Sequence, residues 1–166
     1  MMIQRLKFIL SIFLLSSVAS LQAQEEVVVL NKTWQIGYTA ENAQQQLSEY
    51  VIAGESVENW SELVTRQIFI DPTSRISLNK LINLIRNGFG RDCNDFNWTV
   101  VKSTEYEVLY TWSHNGCSNF AAQAERALIT RVPKGLCRWA YATKKPPLNT
   151  PTEVILDVDL AKQSCD

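Results

Sequence analysis

Four cysteines, set behind a leader-like N-terminus, constrain this chain more than any other feature. Arg5 and Lys7 give a short positive start, Phe8 to Val18 an apolar run, and Ala19-Ser20-Leu21-Gln22-Ala23 a small-residue segment suited to cleavage after Ala23. The run is shorter than the about 20 residues that a membrane-spanning helix needs. Residues 1–23 therefore read as a signal peptide, and residues 24–166 as a single soluble domain exported to the periplasm or the extracellular space. No cysteine stands at the cleavage region to carry a lipid. Cys93, Cys117, Cys137 and Cys165 all lie beyond it, and an even count in an oxidising compartment predicts two disulfides. Three connectivities are open. We prefer Cys93–Cys117 with Cys137–Cys165, because the first pair brackets two strands and the second would pin a C-terminal helix to the sheet. A zinc site would lack any C-x-x-C pair and has one histidine to draw on, so neither a metal nor a cofactor is expected.

Removing residues 1–23 leaves 143 residues, enough for one hydrophobic core. Fourteen basic groups then face seventeen acids, a net charge of −3 with His neutral. A mildly acidic domain whose nearest approach to a basic run is Lys144-Lys145 has no electrostatic footprint for nucleic acid.

Period-two patterning predicts strands at 27–30, 34–38, 61–70, 98–102 and 105–113, and a hairpin of 123–132 and 136–143 around Pro133-Lys134-Gly135. Ala40 to Ala43 reads as a turn, 44–52 carries an apolar face, and 57–60 stays ambiguous. Leu78, Leu81, Ile82, Ile85 and Phe89 form a helical stripe, predicting a helix over 75–88. Asp71, Thr73 and Ser74 are its candidate N-caps, and Gly88 and Gly90 its stop signals. Thr150-Pro151-Thr152-Glu153 has the form of a capping box opening a helix over 151–163. Strands, a helix, strands and a helix, joined by short connections, predict an α+β domain: a mainly antiparallel sheet covered by two helices.

Catalytic constellations are sparse. His114 stands at a strand end next to Asn115-Gly116, where it reads as an exposed turn residue, and no G-x-S-x-G elbow accompanies it. Glu105/Glu107, Asp92/Asp95 and Asp157/Asp159 could pair for acid/base work, but read as solvated surface acids. Asp92-Cys93-Asn94-Asp95 lacks the glycine and terminal glutamate of a calcium loop. Gly88-Phe89-Gly90 ends a helix where a phosphate loop would open one. Trp34, Tyr38, Tyr106, Tyr110, Trp112, Trp139 and Tyr141 sit at alternating positions and are assigned to the core. Asn31-Lys32-Thr33, Asn59-Trp60-Ser61 and Asn97-Trp98-Thr99 match the glycosylation pattern by chance, given a leader of bacterial type.

The segment Tyr50-Val51-Ile52-Ala53-Gly54-Glu55-Ser56-Val57-Glu58-Asn59-Trp60-Ser61-Glu62-Leu63-Val64-Thr65 resembles one found in a group of small exported proteins of Gram-negative bacteria. Asp92-Cys93, the aromatic run Val108 to Trp112, Gly116-Cys117 and Arg138 to Lys144 follow in the same order. The resemblance implies an envelope protein and adds weight to Cys93–Cys117, while transferring no activity and no site residue. The expectation is a non-enzymatic module that binds another protein or an envelope component. Glu55, Asn59 and Trp60 in one segment, and Lys144 and Lys145 in another loop, are its candidate contact residues. The alternatives are an envelope-directed hydrolase built on His114 or a carboxylate pair, and a carrier of a small apolar ligand.

Overall fold

A computed structural model describes residues 27–165 apart from 74, 91–92 and 118–119. The expected signal peptide, Ser74 as a cap and Asp92 as a carboxylate lie outside the described residues. The alternating runs become eight strands: β1 (Val27–Val29), β2 (Lys32–Glu41), β3 (Gln45–Val51), β4 (Glu62–Ile70), β5 (Asn97–Ser103), β6 (Glu107–His114), β7 (Gln123–Val132) and β8 (Gly135–Thr143). Helix α1 (Leu78–Gly90) joins β4 to β5, and α2 (Thr150–Lys162) follows β8. The strand order is β1-β2-β3-β4-β8-β7-β6-β5, and every neighbouring pair is antiparallel. The α+β class and the antiparallel sheet are as expected, but the sheet curls strongly into a half-barrel.

The two helices meet opposite faces of that sheet. Along β8, Cys137, Trp139 and Tyr141 face one way and share a core with Leu156 and Leu160 of α2. Leu136 and Ala140 face the other way, where they share a core with Leu78, Leu81 and Ile82 of α1. Both α2 leucines are essentially fully buried, each worth about 1.5–3 kcal/mol against exposure. Trp34, Tyr110, Trp112, Trp139 and Tyr141 are core residues as expected, whereas Tyr38 and Tyr106 are exposed. Tyr38 belongs to β2, exposed along most of its length, and Tyr106 falls in the turn before β6.

Local chemistry sets the element ends. Leu30 and Asn31 both adopt positive φ, about the values a two-residue turn between β1 and β2 requires. Helix α1 is capped by Ser77, whose Oγ accepts from the Lys80 amide, while Asp71 instead braces the preceding loop through Thr73 and the Ile76 amide. The helix runs through Gly88 and ends at Gly90. At α2 the cap is Asn149, whose Oδ1 accepts from the Thr152 amide at 2.9 Å, so Thr150 is already helical.

Both disulfides form, Cys93–Cys117 across the β5–β6 pair and Cys137–Cys165 between β8 and the end of α2. They are compatible with an oxidising compartment. No described helix is long and apolar enough to cross a membrane.

Strand β7 carries two adjacent charges that point to opposite faces. Arg126 reaches α2, donating to both carboxylate oxygens of Asp157 at 2.7 and 2.8 Å and to Glu153 at 3.2 Å. Glu125 turns the other way and pairs with buried Arg138 at 2.6 Å, while accepting from Tyr110 and from the Trp112 indole. Arg138 Nε in turn donates to the Tyr110 hydroxyl at 2.8 Å. Burial alone would weaken the guanidinium's hold on its proton, but Glu125 and Tyr110 keep it firmly charged.

Candidate functional site

A cavity of about 310 Å³ opens between the last turns of α1 and the end of β6. The helix contributes Ile85, Gly88 and Phe89, and β6 contributes Trp112 and His114. Cys93, Cys117, Phe120 and Gln123 complete the wall. Trp112 and His114 are two residues apart on one strand and so project to the same face. Their rings are nearly parallel, 5° apart with centroids at 5.7 Å, and Phe89 stacks on Trp112 at 4.9 Å. The Trp112 indole is held from behind by its hydrogen bond to Glu125 at 3.0 Å, so the buried Glu125–Arg138 pair orients one wall of the cavity. Phe120 stands 66% exposed at the rim, and a Cβ built at Gly88 would meet nothing within 4 Å.

His114 departs from its expected place. It is 4% exposed, the last residue of β6, and not a turn residue open to solvent. Helix α1 and the Cys93–Cys117 bond wall it in, and two contacts hold its ring: the stack on Trp112, and the Gly116 amide donating to Nδ1 at 3.1 Å. The fold also brings together what spacing kept apart. Among the described residues, one group of His, Cys, Asp or Glu is gathered closely enough to hold an ion: Cys93, His114 and Cys117, their donor atoms all within 4.8 Å of one another. Both sulfurs are engaged in the disulfide.

Four of the carboxylates weighed for acid/base chemistry have other work. Asp95 accepts the Asn115 amide at 2.8 Å, which holds its carboxyl below the usual range. Glu107 pairs with Lys102, Asp157 with Arg126, and Asp159 accepts the Leu30 amide at 2.9 Å. Glu105 is exposed.

The two candidate contact segments prove to be neighbours. Lys144 Nζ lies 4.5 Å over the Trp60 ring, and the Lys144 amide donates to the Ser61 carbonyl. Glu55 accepts from the Ser61 amide and hydroxyl at 2.9 and 2.6 Å, bonds that hold its carboxyl below the ordinary range. The Asn59 amide closes a tight turn onto the Ser56 carbonyl, and exposed Lys145 donates its amide to Thr143 Oγ1. Glu55, Trp60 and Lys144 thereby tie two loops into one corner, with Trp60 half-buried against Val51, Leu63 and Ala142.

Phe89, Phe120 and Gln123 were not singled out by sequence reasoning as site residues. The signal that could have found them is the placement of Trp112 and His114 on one strand face, close to two cysteines and between two glycine-marked turns. Comparison of the chain with protein-family models, curated proteins and solved structures finds no match.

Proposed function

We propose that this protein is a non-enzymatic binding module of the Gram-negative envelope, periplasmic or secreted, that holds a small apolar molecule in the cavity beside Cys93–Cys117. The cavity itself carries the reading. Its volume lies at the lower end of the about 300–1,000 Å³ typical of small-ligand sites, and its walls are mainly aromatic and aliphatic. His114 and Gln123 supply two polar groups, the usual means of fixing a ligand's orientation in such a pocket. The partly exposed rings of Phe89 and Phe120 offer stacking surfaces for a flat apolar group. Export rests on the N-terminal pattern, and the two disulfides are compatible with it. Against hydrolysis stands the engagement of His114 Nδ1 by a backbone amide and of the nearby Asp95 by another.

The test is mass spectrometry of protein gently extracted from its native host, compared with a Gly88→Leu variant. A Cβ at Gly88 meets nothing within 4 Å, and Gly88 lines the cavity, so leucine is accommodated there and adds bulk at the cavity wall. A small molecule carried by the wild type and absent from the variant is the expected result. An empty wild-type protein, or equal loading of both, would overturn the assignment.

A further inference from the structure

We infer that reduction of Cys93–Cys117 converts one wall of the cavity into a three-ligand site for a soft or borderline metal ion of the Zn²⁺ or Cu(I) class, with His114 as the third ligand. The inference does not depend on the ligand-binding reading. It starts from the gathering of three donor atoms within 4.8 Å of one another, drawn from the α1–β5 connection, the end of β6 and the turn after it. Zinc–sulfur bonds of about 2.3 Å in a tetrahedral shell place two sulfurs about 3.8 Å apart. Two thiolates released from a disulfide reach that separation by a modest rotation of their side chains. Two thiolates and an imidazole are a donor set suited to zinc or to monovalent copper.

Three further observations favour a preformed site. The His114 ring is buried and held flat against Trp112, so it loses little freedom on ligating an ion. Ligation through Nδ1 would exchange the Gly116 hydrogen bond for the metal. Cys93 and Cys117 are both half-buried at the cavity wall, whereas the second bond joins fully buried Cys137 to half-buried Cys165, so the first disulfide offers a reductant two partly open sulfurs and the second only one. The strand pairings β5–β6 and β6–β7 and the Cys137–Cys165 bond hold this part of the sheet through contacts that do not involve the first disulfide.

The step balances with a dithiol as reductant. Its two electrons break the S–S bond, its two protons pass to the cysteine sulfurs, and the dithiol leaves as its own disulfide. Binding a divalent ion then releases the two thiol protons.

The experiment is titration with Zn²⁺, and separately with Co²⁺, of the full exported chain after anaerobic dithiol reduction, in competition with a chromophoric chelator. Thiol counting and near-UV circular dichroism accompany each sample. Expected are two free thiols, a retained near-UV signal, one equivalent of Zn²⁺, and a thiolate-to-cobalt absorption band. The oxidised chain should bind none, and His114→Gln should weaken binding by at least tenfold while keeping the two thiols. Equal affinity in H114Q would overturn the proposal, because the ion would then rest on the thiols alone. So would failure of the folded, reduced chain to bind, or loss of the near-UV signal on reduction, since the site is argued to be preformed.

Discussion

Replacing Glu125 by Gln tests the organisation of the core most directly. The substitution keeps the shape and the acceptor oxygen that Tyr110 and Trp112 use, and removes only the charge facing Arg138. The two side chains are 7% and 6% exposed, so the guanidinium left behind has almost no access to water. Removing one partner of such a pair costs about 3–5 kcal/mol. The attraction lost is of the same size, about 4 kcal/mol for charges 4 Å apart at an effective dielectric constant of 20. Glu49 moderates the loss. Burial raises its carboxyl's affinity for a proton, but Arg138 attracts the ionised form and pulls that value back, so some opposing charge stays nearby. We therefore expect the lower end, about 3 kcal/mol. In urea, with a slope of about 1.5 kcal/mol per molar, the unfolding midpoint should fall by about 2 M. Arg138→Met should cost a similar amount by stranding the carboxylate. The double variant E125Q/R138M leaves no buried charge at this position, and should recover most of the loss. A single-variant cost under about 1 kcal/mol, or two single effects that simply add, would show that the pair is hydrated and would refute the reasoning.

Four other outcomes follow from local geometry. Gly135→Ala should lose about 3 kcal/mol or more by urea unfolding, because Gly135 has φ of 142° and a Cβ there would lie 2.1 Å from the Phe69 carbonyl oxygen. Gly116→Ala, strained at φ of 111° but with a Cβ in ordinary contact at 3.7 Å from the Ala122 and Phe120 backbone, should cost only about 1 kcal/mol. Asn149→Ala should destabilise by about 1 kcal/mol in thermal unfolding, and Thr150→Ala by much less, since Asn149 supplies the cap. The Asp71 carboxyl is held below its ordinary range by the Ile76 amide and the Thr73 hydroxyl. Its contribution should be complete above its unfolded pKa of about 3.9 and fade as pH falls through the lower folded value. Asp71→Asn should flatten that part of the stability–pH curve, and an unchanged curve would count against the bonds described.

Elements whose signal is local were legible in the sequence. Strand β7 matches its predicted range of 123–132, and the stripe from Leu78 to Phe89 marks α1, because side-chain period is a property of neighbouring residues. Ends were harder. Several residues near each helix start can accept an amide, and only the folded path decides that Ser77 and Asn149 do so. The exposure of Tyr38 shows another limit, since alternation marks a strand without saying what covers it. The site was least legible. His114 looked exposed because its turn was read alone, while its burial depends on α1 and on a disulfide partner more than twenty residues earlier. Cys93 likewise lies too far from His114 and Cys117 along the chain to form a spacing motif with them, whereas the fold brings the three together across it.

The opposed charges on β7 also bear on how the strands find their alignment. Sliding β7 by one residue in one direction would seat Arg126 in the place of Glu125, against Arg138, and leave Ala127 facing the acids of α2. Sliding it the other way would press Glu125 against Asp157 and Glu153, with Ala124 facing Arg138. Either error buries like charges or strands a cation, so electrostatics rejects mispaired alignments that hydrophobic contacts alone would tolerate. The Glu125-Arg126 dipeptide thus acts as a ruler for the centre of the sheet, readable from both faces at once.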